Sequence, residues 1–322
     1  MERIKRRNRT VAAQIRTVET FAKNPWPLLR VADASARRGN PVAPGVVAGI
    51  PSVNVRDDEQ RDLRKLLSLL ERVEAWGRLT DGQPQAWRVQ AGSAFAGDDA
   101  KTDPYQVSHS AWHALTVATD HLQCLRSSLV RELTDKRASV HIHTHAQSSL
   151  IRGALENGAR AVWLAAPATR LTRISRRLAL EAAEVRHSSR LRQLVQQPAK
   201  RTAEDRLRQL TDLAMAAGLA PERVKKTLNA PGYGEIVRDA GERTTLGADI
   251  AEVVWSGCSA LAHGDLYGTL GMLERDIVAR DRSVAVTRVT GSISGLYWSA
   301  VSAVFMIDHG FGYYRQRAAA HH

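Results

Sequence analysis

The sequence predicts an all-α protein, a multi-helix bundle preceded by a basic N-terminal arm. Three observations carry that expectation. Apolar residues recur at helical spacing through most of the chain, as in Leu63, Leu66, Leu67, Leu70 and Val73. Prolines such as Pro167 and Pro198 close these runs instead of interrupting them. Alternating strand patterns are nearly absent, and no internal repeat appears.

Taken in order, residues 1–45 mix basic side chains with Pro25, Pro27, Pro41 and Pro44 and read as a basic, partly flexible arm. One helical domain is expected over 46–317, with its core bundle over about 105–310. Its first helix begins near Asp57, where Asp57 and Asp58 suit the positive end of the helix dipole. Gly77 to Pro104 reads as a long polar connection. A second helix runs from Tyr105 to Leu133, and a third from His141 to Trp163, ended by Pro167. An Arg-rich helix spans Thr169 to Gln197. Shorter helices follow at 202–217 and 221–228, then a Gly- and Pro-containing stretch near Pro231. Helical patterning resumes at 245–262, 266–280 and 291–315, interrupted by Ser283 to Val289, where Val284, Val286 and Val289 suit a short extended piece. Ala318 to His322 reads as a cloning remnant.

Composition narrows the function classes. The 322 residues carry a formal charge of +13, which favours polyanionic partners, nucleic acid above all. Met1 to Thr10 contributes +4, with Arg6 and Arg7 at its centre, and Arg170 to Arg208 contributes +7. Only Cys124 and Cys258 are present, without zinc or disulfide spacing, so a reducing cytoplasm is expected. No secretory signal pattern opens the chain. Val289 to Ile307 is free of charge, but its serines and glycines point to a buried helix and not a membrane span. There is no phosphate loop and no dinucleotide fingerprint, so no cofactor is expected.

The most informative segment is the third helix. Arg152, Glu156 and Arg160 stand four residues apart and stack on one face of an otherwise apolar helix, where Ala154 and Gly158 supply close-packing positions. Flanking arginines would keep Glu156 ionised, suiting an ion ladder or an anion site more than a proton donor. His145, Ser149, Arg152 and Glu156 form a stripe, and His141, His143 and His145 alternate before it. His109, His113 and Asp120 share a face of the second helix as half of a metal or acid–base site, with Asp120 equally placed to pair with Arg152. Trp255, Ser259 and His263 follow at four-residue steps, and Gly264 suits a left-handed helix cap. Arg170, Arg173 and Arg177 form a row that could follow a phosphate backbone.

With R-x3-E at Arg152 to Glu156 and S-x3-H-G at Ser259 to Gly264, the chain resembles uncharacterised actinobacterial helical proteins distantly similar to the HEPN superfamily. The resemblance covers about residues 105–310 and rests on short motifs. It implies a metal-independent ribonuclease of a toxin or defence type, acting on RNA more than DNA and as a homodimer. Such enzymes use an Arg followed by a His at short spacing. Here that pair is Arg137 and His143, with Ala138 where the family prefers a polar residue. By that resemblance His143 would be the base on a ribose 2′-hydroxyl, and Arg137 would stabilise the phosphorane charge. Two other readings stand beside it. One is a helical-bundle enzyme or ligand binder with a pocket of Asp120, His145, Arg152, Glu156 and His263; the other is a non-catalytic interaction protein.

Overall fold

Helical periodicity near Asp57 becomes a real helix, α1 (Asp57–Thr80), with three acids in its first turn. It opens a computed structural model that describes residues 57–82, 85–133, 138–281 and 284–320. Ten more helices follow among the described residues: α2 (Ala94–Thr102), α3 (Val107–Leu129), α4 (Ala146–Ala165), α5 (Arg170–Leu194), α6 (Ala203–Ala216), α7 (Pro221–Thr227), α8 (Tyr233–Glu242), α9 (Ala248–His263), α10 (Leu266–Met272) and α11 (Ile293–Ala318). Two antiparallel hairpins interrupt them, β1 (Val130–Leu133) with β2 (Ala138–Val140), and β3 (Glu274–Asp281) with β4 (Val284–Thr290). The arm, with Arg6 and Arg7, lies outside the described residues, as does Arg137.

The bundle is organised around α4, which packs on α3, α11, α9 and α8. Ile151, Leu155 and Val162 are fully buried there, together with the small Ala154, Gly158, Ala159 and Ala161. The small residues let α11 approach closely. A Cβ on Gly158 would stand 2.9 Å from Ile307 Cγ1. The charge-free part of α11, up to Ile307, is thereby explained as a core segment, burying Ala300, Ala303, Met306 and Ile307. No helix of the described residues is long and apolar enough to cross a membrane.

Several expected boundaries are corrected. The connection from Gly77 to Pro104 contains the last turn of α1 and the whole of α2, which Ser93 caps by accepting from Ala96 N. The second helix stops at Leu129 because Val130 turns into β1, and the third starts at Ala146 because His141 is still tied to Leu129 O across the hairpin. α8 replaces the Gly- and Pro-containing stretch, started at Gly232, whose N–H donates to the Glu235 carboxylate. The helix expected over 266–280 ends at Met272. From Glu274 the chain is a strand, and Ile277 and Val278 on β3 with Val284, Val286 and Val289 on β4 supply the β-branched residues that favour it. Ala318, grouped with the remnant in the sequence, closes α11, is buried and accepts a bond from Gln90 N.

Candidate functional site

On α4, Arg152 and Glu156 are one turn apart, and the Arg152 Nε–H donates to Glu156 Oε1 at 2.8 Å. Helix α9 crosses this face. Its Trp255 donates the indole N–H to the same Glu156 oxygen at 2.7 Å. Two turns further along α9, His263 stands at the helix end, which Gly264 caps in the left-handed conformation at φ 73°. Arg152 Nη1 faces His263 Nε2 at 3.3 Å, so the arginine donates and that ring nitrogen accepts. The guanidinium also lies over the Trp255 ring, 5.9 Å from its centroid. The result is a graded chain: a carboxylate 13% exposed, a guanidinium 25% exposed and an imidazole at the surface.

The neighbouring segment is fastened by Gln147, a fully buried side chain that accepts from His143 N and donates to His141 O and Ser128 Oγ. His145 is thereby set beside α10, with Nε2 3.3 Å from Thr269 Oγ1 and Nδ1 2.8 Å from Thr144 Oγ1. His143 turns elsewhere. Its ring packs on His141 at 4.2 Å and lines a small recess with Ser148, Gly291 and Ser299. Thus Arg152, Glu156 and His263 converge, whereas Arg137 is not described.

Other expected partners separate. Arg160 does not complete the ladder; it reaches Glu184 on α5 at 3.6 Å, and its buried Nε has no hydrogen-bond partner. Asp120 is exposed and is not the partner of Arg152. His109 sets its ring edge-on to Trp87, and among the described residues no three His, Cys, Asp or Glu side chains group closely enough to hold a metal ion. Ser259 and His263 form no hydrogen bond. Cys258, one residue away, is fully buried, and that burial pushes its thiol up to about 12, so it is no nucleophile at neutral pH.

The Arg170, Arg173 and Arg177 row is also corrected, because Arg173 and Arg177 face inward instead of toward solvent. Arg173 is 2% exposed and binds the fully buried Asp98 as well as Pro167 O and Ala168 O. Arg177 is buried against Glu181, which also receives Arg206. Arg170 keeps an exposed side chain but joins Asp98. Within the basic segment, solvent-facing cations gather at the far end of α5 and beyond. Arg190, Arg192, Lys200 and Arg201 are exposed, the last three around a recess of about 930 Å³, and Arg223, Lys225 and Lys226 are exposed on α7.

Sequence reasoning missed Trp255 as a donor to Glu156 and Thr269 as a neighbour of His145. The only signal was the helical stripe that already aligned Trp255 with His263. The chain matches no known family model, no curated protein and no solved structure.

Proposed function

We propose that this protein associates with RNA and cleaves it without a metal, using Arg152 and His263 where the family resemblance would use Arg137 and His143. One observation carries the reading: an arginine held by a carboxylate and an indole presents its free edge to an exposed imidazole. Arginine stays protonated and offers planar donors that match a phosphate. A phosphate that takes Nη1 releases His263 Nε2. That nitrogen can then accept a proton from a ribose 2′-hydroxyl, whose oxygen attacks the adjacent phosphorus. Arg152 neutralises the charge that develops, and the departing 5′ oxygen takes its proton from water, which the exposed site admits. The cations at the end of α5, through α6 to α7, supply a sequence-independent attraction for the strand. Free thiols at Cys124 and Cys258 suit a cytoplasmic setting.

The test uses labelled single-stranded RNA in the presence of a chelator. Wild type should cleave it, and His263→Ala should lose at least about 100-fold in rate while still binding. Neutralising Arg190, Arg192, Lys200 and Arg201 together should lower the slope of log affinity against log salt by up to about 3. Cleavage equal in wild type and His263→Ala overturns the catalytic assignment. Absence of both cleavage and salt-dependent binding by wild type overturns the whole reading.

A further inference from the structure

The β3–β4 hairpin packs mainly on itself, and its side chains are exposed on both faces, with Ile277, Val278 and Val286 each about half exposed at 52%, 52% and 53%. A lone two-stranded ribbon is marginal in water, and one with exposed branched residues calls for a partner. The outer edge of β3 pairs with no other strand among the described residues. Val278 is the bulged residue, without a counterpart on β4 between the Ile277 and Ala279 pairs.

The sequence of that edge says what fits it. Around Val278, β3 reads Glu274, Arg275, Asp276, Ile277, then Ala279, Arg280, Asp281. Two and three residues out from Val278, the charges on its two sides are opposite in sign. An antiparallel second copy of β3, with its two-fold axis at Val278, sets Asp276 opposite Arg280 and Arg275 opposite Asp281, each twice. Moving the register by one residue either way sets like charges opposite: Arg275 against Arg280 one way, Asp276 against Asp281 the other. Bulges and edge charges also serve to keep strands apart. Repulsion between copies, however, needs like charges to meet, and in the two-fold register none do.

We propose that the β3 edge is a self-association surface, joining two chains through a four-stranded antiparallel sheet in the order β4, β3, β3, β4. Opposite charges across an antiparallel pair stabilise it and like charges oppose it, and a two-residue shift keeps at most one of these kinds of opposite pair where the two-fold register at Val278 has two. A contact this small gives an affinity in the micromolar range, so it is measured from about 1 to about 100 µM.

Sedimentation of the full chain tests the proposal. Arg275 and Asp281 are the positions to change, because their register partners within the hairpin are Val289 and Val284 and not charged residues. Wild type should form a species of twice the 35.4 kDa chain mass. Arg275→Asp and Asp281→Arg should each be monomeric, with unchanged helical circular dichroism. An equimolar mixture of the two variants should dimerise again, because every altered residue then meets its opposite. A monomeric wild type, dimeric single variants, or a mixture that stays monomeric would each overturn the proposal.

Discussion

Trp255 donates its indole N–H to Glu156 Oε1 across 2.7 Å, on the oxygen that already receives Arg152 Nε. Glu156 is therefore the joint between α4 and α9, and it holds Arg152 toward His263. Removing the carboxylate leaves an indole and a guanidinium short of an acceptor. Glu156→Ala should destabilise the fold by about 2 kcal/mol in denaturant titration, and Glu156→Gln, which keeps an acceptor oxygen, by less. If Trp255 and Arg152 act through Glu156, then Trp255→Phe combined with Glu156→Ala should be less damaging than the sum of the two.

Asp98 presents a sharper case. Its carboxylate is fully buried and satisfies the equally buried Arg173 through two bonds. Asp98→Ala strands a guanidinium in the core and should lower stability by about 3 to 5 kcal/mol. The partner change tells burial of charge apart from lost packing: adding Arg173→Met to Asp98→Ala should recover most of the loss in the same titration. No recovery would mean that the site depends on shape and not on charge.

These two pairs also show what could be read in the chain. Arg152 with Glu156 is a four-residue spacing within one helix, so local geometry made it legible before any fold was known. Asp98 with Arg173 joins α2 to α5 across 75 positions, and nothing in either neighbourhood points to the other. The same limit misplaced the arginine row. A run of arginines looks solvated in sequence, yet Asp98 and Glu181 draw Arg173 and Arg177 inward. The strand at Glu274 was lost for a local reason, since Leu266 to Met272 begins as helix and the β-branched run after it carries enough charge to mimic a helical surface.

Cys258 and Cys124 should differ in a thiol assay. Cys124 is exposed and Cys258 is buried, so a disulfide-exchange reagent should titrate one thiol per native chain and two after denaturation. Burial raises the Cys258 thiol from 9.0 to about 12, so the folded chain keeps this proton where the unfolded chain releases it. The associated stability is complete below pH 9.0 and is lost as pH rises toward about 12. Cys258→Ala should remove the part of the alkaline destabilisation that begins at that lower limit. An unchanged profile would place it instead in Tyr297 and Tyr314, whose hydroxyls burial also raises.

Gly158 tests whether the bundle depends on the close approach of α4 and α11. A Cβ there would lie 2.9 Å from Ile307 Cγ1 and 3.3 Å from Ile307 N, and the backbone atom cannot rotate away. Alanine is the better helix former by about 1 kcal/mol, so in an open position Gly158→Ala would stabilise. Overpacking a rigid contact acts in the opposite direction and typically removes about 1 to 3 kcal/mol. The net expectation is a loss, read as a lower denaturation midpoint with an unchanged slope. Gly312→Ala on α11 is the control, since a Cβ at that residue meets nothing within 4 Å. It should match or exceed wild type in stability, and a loss at both positions would show that glycine flexibility, not the α4–α11 contact, is what the helices require.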